Sequence, residues 1–140
     1  MLILHVEDDI VQARALKRHL NAKGHTIVHV ATMQEFEALW QGSSKAPGGS
    51  FDLVITDGEF PGGNALMVVD HVTRDGIAVL VFSGQHDLLD RTHQAGAQFV
   101  GKPDTARLLA VIDLVKDRPH GSALLDPLGQ NGEIPAPGRT

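Results

Sequence analysis

The chain has 140 residues, a formal net charge of −5, 42% hydrophobic and 21% charged residues, and no cysteine. That length suits one domain with a core of its own, and the absence of thiols excludes disulfides and thiolate chemistry. An acidic balance with no Lys/Arg block excludes the electrostatic footprint of a nucleic-acid binder, and no apolar run approaches the ~18 residues needed to span a bilayer.

The start of the chain carries no basic segment before its apolar run and turns acidic at Glu7, which argues against a secretory leader. The absence of cysteine fits a reducing compartment, and with no spanning run a cytoplasmic location and no membrane partner are expected. Leu2 to Val6 reads as a short buried strand, interrupted by His5 and closed by Glu7-Asp8-Asp9. From Ile10 the period becomes helical. Ile10, Ala13, Leu16 and Leu20 form a stripe expected to face a sheet, Arg14, Lys17 and Arg18 mark another face, and Gly24 ends the helix.

Thr26 to Val30 is β-branched and reads as a second strand. Thr32 and Glu35 form a capping box that opens a helix through Trp40. Residues 42–50, rich in Gly, Ser and Pro, read as a tolerated surface insertion. Asp52 to Thr56 is the third strand, running straight into Asp57-Gly58. Asn64 to Thr73 is a helix with Leu66, Val69 and Val72 inward. Ile77 to Phe82, almost unbroken in its apolar character, suits a strand covered on both faces and ends at Ser83-Gly84. A short polar helix spans Asp87 to Ala95. Gln98 to Val100 is a fifth strand, ending at Gly101-Lys102-Pro103. Asp104 or Thr105 caps a last helix with Leu108, Val111, Ile112 and Val115 on one stripe.

Strands alternating with helices imply an α/β fold with a parallel sheet, and right-handed crossovers place helices on both faces. The boundaries read as one domain over residues 1–118 and a Pro/Gly-rich tail over residues 119–140, in which Leu124, Leu125 and Leu128 are the apolar positions.

Chemistry in such a sheet gathers beyond the carboxyl ends of the strands. Those ends carry Glu7-Asp8, Asp57, Ser83 and Lys102. With strand order 2-1-3-4-5, the first and third strands are neighbours at the topological switch point, and Glu7, Asp8 and Asp57 crowd one crevice. Carboxylates at 4 Å repel by about 4 kcal/mol per pair at an effective dielectric near 20. A hard cation such as Mg2+ relieves that repulsion, and Lys102 adds a fixed positive charge. The set fits phosphoryl transfer. Asp57 can act as the nucleophile, Ser83 can donate to a phosphoryl oxygen, and the Gly58 and Gly84 amides can approach closely. Neither a Gly-x-x-x-x-Gly-Lys-Ser/Thr nor a Gly-x-Gly-x-x-Gly cradle is present.

These residues carry a resemblance. Val6-Glu7-Asp8-Asp9, Asp57 with Pro61 four residues on, Phe82-Ser83-Gly84, Ala95-Gly96-Ala97 and Phe99-Val100-Gly101-Lys102-Pro103 resemble the receiver domains of bacterial two-component response regulators. The resemblance runs from Met1 to about Lys116. It implies a flavodoxin-like fold and phosphorylation of Asp57 by a sensor histidine kinase or a histidine phosphotransfer protein. It implies Mg2+ on Asp8, Asp57 and the Glu59 backbone carbonyl, with Glu7 helping through water. It implies a switch in which Ser83 closes on the phosphoryl group and Phe99 turns inward, reshaping the face built from the fourth helix, fifth strand and fifth helix. It also implies that Glu59 and Gln85 tune the lifetime of the phosphoryl group. The chain departs from the family pattern at Asn64-Ala65, where Asp-Gly is usual, at Gly84, where alanine is common, and at Asp104, where phenylalanine often follows Lys-Pro.

A stand-alone receiver, not a turnover enzyme, is therefore expected. The rivals are a degenerate receiver acting unphosphorylated and an aspartate-nucleophile phosphohydrolase. Of the eight histidines, His25 with His29 and His86 with His93 share faces, but surface or hydrogen-bonded roles are expected over metal binding. His5 reads as a neutral core histidine with a backbone partner.

Overall fold

The computed structural model describes residues 1–42 and 51–117. The expected insertion at 42–50, apart from Gly42, and the tail at 119–140, with Leu124, Leu125 and Leu128, lie outside the described residues. The element order is β1 (Leu2–Val6), α1 (Ile10–Ala22), β2 (Thr26–Val30), α2 (Met33–Gly42), β3 (Leu53–Thr56), β4 (Glu59–Phe60), β5 (Gly63–Asn64), α3 (Ala65–Arg74), β6 (Ala78–Ser83), a 3-10 turn (His86–Leu88), α4 (Leu89–Gln94), β7 (Gln98–Gly101) and α5 (Thr105–Lys116). Five parallel strands form one sheet in the order β2-β1-β3-β6-β7. Counting those five strands alone, this is the expected 2-1-3-4-5 order, and the α/β reading holds.

The sheet divides the core in two. One side packs Leu4, Val6, Val54, Val79, Val81 and Phe99 with Phe36 and Trp40 of α2 and Val68, Val69 and Val72 of α3. The other packs Ile3, Leu53, Ile55, Leu80 and Val100 with Leu16 and Leu20 of α1 and Leu108, Val111 and Ile112 of α5. Neighbouring strand residues fall on opposite sides, as the pleat requires. Both faces are covered, which is why β3 and β6 are apolar runs without alternation.

Caps set where helices begin. Asp9 accepts from the amides of Val11 and Gln12, Asn64 from that of Met67, and Asp104 from that of Arg107. Asp104 settles the choice between Asp104 and Thr105.

Three expectations need correction. Ile10 was expected to face the sheet but is 50% exposed. The first turn of α1 stands past the carboxyl ends of the strands, so the buried stripe starts at Ala13. Leu66 is only half-buried; Ala65, Val68, Val69 and Val72 form the inward face of α3. The two-residue strands β4 and β5 were not foreseen. They pair as an antiparallel hairpin, Glu59 with Asn64 and Phe60 with Gly63, around Pro61-Gly62, where Gly62 takes a φ of 84° that favours glycine.

Candidate phosphoryl-transfer site

Backbone hydrogen bonds carry the site residues to one edge. The Asp57 amide donates to Val6 O at 2.9 Å and the Glu7 amide to Val30 O at 3.0 Å. Glu7 therefore sits just past β1 and Asp57 just past its neighbour β3. On the other side, the Lys102 amide donates to Ser83 O at 2.9 Å, and Ser83 pairs with Gly101 in the ladder between β6 and β7. All five polar residues expected at the strand ends stand at this edge.

Glu7, Asp8 and Asp57 each offer a carboxylate oxygen, and these oxygens lie within 4.8 Å of one another. Glu7 is buried, Asp57 half-buried and Asp8 exposed, so the cluster opens to solvent on the Asp8 side. Lys102 Nζ donates to Glu7 Oε1 at 2.7 Å and to Asp57 Oδ1 at 3.2 Å. The Gly58 amide donates to Asp57 Oδ1 at 2.7 Å, and the Asp9 amide to Glu7 Oε2 at 3.2 Å. Oδ2 of Asp57 accepts no hydrogen bond among the described residues. Burial pushes the Glu7 carboxyl up to about 7; its hydrogen bond to Lys102 opposes the rise and the charge of Asp57 adds to it. The donor set is three hard oxygens with an excess of negative charge, and it fits a divalent cation of the Mg2+ class.

Ser83 is 1% exposed, and its Oγ accepts from the Gln85 amide at 3.0 Å. Gly58 is required by space. A Cβ there would lie 2.1 Å from Gln85 Oε1 and 2.5 Å from Ser83 Oγ. Gly84 is different: a Cβ there meets no described residue within 4 Å. Gln85 Nε2 donates to Glu59 Oε1, joining the hairpin to the loop after β6. Phe99 is buried among the core residues on the α2–α3 side of the sheet.

Two openings flank the cluster. A cleft of about 490 Å³ is lined by Glu59, Asn64, Met67, Gln85 and Arg91 among others. A more apolar groove of about 370 Å³ runs between Ala15, Leu16 and His19 of α1 and Phe82, Lys102 and Pro103. Ile10 and Val11, 50% and 72% exposed, extend apolar surface along the first turn of α1.

The histidines behave unlike their sequence spacing. His25 and His29 do not act together: His25 Nδ1 meets the terminal amine of Met1 at 2.9 Å, while His29 Nε2 donates to Glu7 O at 2.6 Å. His29 thus holds the backbone of the loop after β1 at Glu7, a contact the sequence reading missed. The signal lay in register, since His5 and His29 are paired across β1 and β2. His5 is 2% exposed, but its Nδ1 has no hydrogen-bond partner among the described residues. The expected backbone partner is absent at that nitrogen.

No protein-family model matches this sequence, and no curated protein matches it. Solved structures do. The non-phosphorylated receiver domain of HemR from Leptospira biflexa is 27% identical, with a TM-score of 0.73 over 85% of this chain and 98% of that one. The signal receiver domain of a putative LuxO repressor protein from Vibrio parahaemolyticus is 25% identical, with a TM-score of 0.70 over 81% and 88% of the two chains. The response regulator TrrA from Thermotoga maritima, solved with Mg2+ and BeF, is 21% identical and shares the fold, with a TM-score of 0.71 over 81% of this chain and 97% of that one.

Proposed function

We propose that this chain, which belongs to the response regulator receiver domains of two-component signalling, works as a phosphorylation switch centred on Asp57. The observation that carries the proposal is Lys102 Nζ bridging Glu7 and Asp57 inside a three-carboxylate cluster at the sheet edge. A resting ion pair of this kind is ready to be re-partnered when an anionic group arrives.

The chemistry follows from which oxygens are free. Oδ1 of Asp57 is engaged by Lys102 and the Gly58 amide, so Oδ2 is the nucleophile. Oδ2 attacks the phosphorus of a phosphohistidine on a sensor kinase or phosphotransfer protein. The P–N bond breaks, the imidazole leaves with the electron pair and takes up a proton, and Asp57 becomes an acyl phosphate. Lys102 and Ser83 would receive the phosphoryl oxygens, which bring about −1.5 to −2 of charge. Glu7, Asp8, Asp57 and the Glu59 carbonyl would hold Mg2+, which when bound offsets the charge on the transferring group. Its apolar groove and the exposed Ile10 and Val11 give the donor protein a docking surface beside Lys102.

Output follows from Ser83. Moving its hydroxyl towards a phosphoryl oxygen shifts the loop after β6, and Phe99 responds on the face made by α4, β7 and α5, where a downstream protein binds. Phosphorylation biases a pre-existing equilibrium between the two arrangements.

Intact mass after incubation with a small phosphodonor, with and without Mg2+, tests the core of this reading. A metal-dependent phosphoryl adduct that vanishes in Asp57→Ala is expected. A folded, Mg2+-binding protein that gains no adduct from either a small donor or a phosphohistidine protein would overturn it in favour of a receiver that acts unphosphorylated.

A further inference from the structure

His86 belongs to the turn that follows Ser83-Gly84-Gln85 and is a solvent-exposed residue. Its ring nevertheless lies against β7. A Cβ on Gly101 would meet His86 Cε1 at 2.6 Å and Nδ1 at 3.1 Å. The same ring stands edge-on to Phe99, with centroids 6.2 Å apart and planes at 61°, an arrangement that attracts aromatic rings. Phe99 and Gly101 are two residues apart on one strand and share a face. Phe99 is 4% exposed. The bare Cα of Gly101 is thus the seat that lets the His86 ring reach Phe99.

We propose that His86, seated on Gly101, is a positioning residue that holds Phe99 buried and ties its rotamer to the Ser83 loop. The inference rests on the reading of Ser83 and Phe99 as the switch pair. Two observations support the tie. The path from Ser83 to His86 is three residues long and is internally braced: the Gln85 amide donates to Ser83 Oγ at 3.0 Å and the His86 amide to Gly84 O at 3.1 Å. A shift of Ser83 therefore carries the His86 ring with it. The second is size. A side chain at position 101 would overlap the ring where it now lies, so the ring's present seat depends on the bare Cα of Gly101. No hydrogen bond or ion pair joins either residue to the carboxylates among the described residues, so their influence on Asp57 runs through Phe99.

The test uses the full chain with ring-labelled phenylalanine, assigned through Phe99→Leu, and no phosphodonor. Broadening of the Phe99 signals by a soluble paramagnet reads how far the ring is exposed. His86→Ala and Gly101→Val are each expected to raise the exposed population about five-fold, the size of shift a lost aromatic contact produces. His86→Phe, which restores a ring, is expected to return it to the wild-type value. Thermal melts identify any variant that has lost its fold, and the remaining pair still decides the question. Equal broadening in wild type, His86→Ala and Gly101→Val overturns the proposal, as does an exposed ring that His86→Phe fails to restore. Phosphorylation is scored separately by mass. A ring that opens as expected in a protein that takes no phosphoryl group upholds the seat and overturns the reading of Asp57 instead.

Discussion

Lys102 Nζ lies 2.7 Å from Glu7 Oε1, across 95 residues of sequence. Both groups are largely withdrawn from water, at 17% and 2% side-chain exposure. The same ammonium is 3.2 Å from Asp57 Oδ1, so one lysine is shared between the two inner members of the acidic cluster and offsets only part of their charge.

That arrangement sets the lysine in competition with a bound cation. Lys102→Met should bind Mg2+ more tightly than wild type, by about ten-fold or more, because a positive charge a few ångströms from the carboxylates is gone. Asp8→Asn should bind it more weakly. The same Lys102→Met protein should be phosphorylated more slowly, since the fixed charge that receives the phosphoryl oxygens is lost. Calorimetric titration with Mg2+ checks the first pair, and adduct formation against time checks the last. Weaker Mg2+ binding in Lys102→Met would contradict the competition.

Glu59 and Gln85 are joined by a hydrogen bond, and they should act on phosphoryl lifetime as a unit. Glu59→Ala and Gln85→Ala are each expected to change the decay rate of the adduct, and the double variant to change it by no more than the larger single effect. Such non-additivity is what a shared contact produces. An unchanged decay rate in Glu59→Ala, or effects that simply add, would break the link.

Gly58→Ala places a methyl group where Gln85 Oε1 and Ser83 Oγ now sit. We expect a loss of about 1–3 kcal/mol, the usual cost of overpacking. Adding Gln85→Ala should recover part of it, because the nearer obstruction is the end of a flexible side chain. Denaturant unfolding of the two proteins measures both terms. Wild-type stability in Gly58→Ala would show that the loop yields freely.

Thr92 is the one buried residue of α4, and its hydroxyl has no hydrogen-bond partner among the described residues. Thr92→Val keeps the shape and removes the unpaired group. It should raise stability by about 1 kcal/mol and slow amide exchange in α4. A destabilised Thr92→Val would mean that the hydroxyl finds a partner in solution.

His5 supplies a pH dependence. Burial, then the neighbouring His29, then Lys102 lower its pKa from 6.5 to about 3. The unfolded chain therefore takes up a proton near 6.5 that the folded chain refuses until about 3. Stability is whole above 6.5 and falls as the pH drops through this window. His5→Leu in chelator should lose that part of the acid sensitivity. A curve parallel to that of wild type between pH 7 and 4 would show that His5 is not its source.

The sequence by itself determined the alternation of elements, because apolar period separates strand from helix without reference to partners. It also determined where the candidate site gathers: the polar residues that interrupt apolar strands fall at their carboxyl ends, and a parallel sheet puts all those ends on one edge. Asp57, Glu7, Asp8, Lys102 and Ser83 were legible for that reason. Only the tertiary structure decided which of them touch. The choice of Glu7 as the main partner of Lys102, the buttress from His29, the Gln85 carboxamide over Gly58 and the His86 ring on Gly101 all depend on register and on loop closure. The exposure of Ile10 shows the same limit on a helix. Period assigns a residue to a face, but whether anything covers that face depends on how far the sheet extends beneath it.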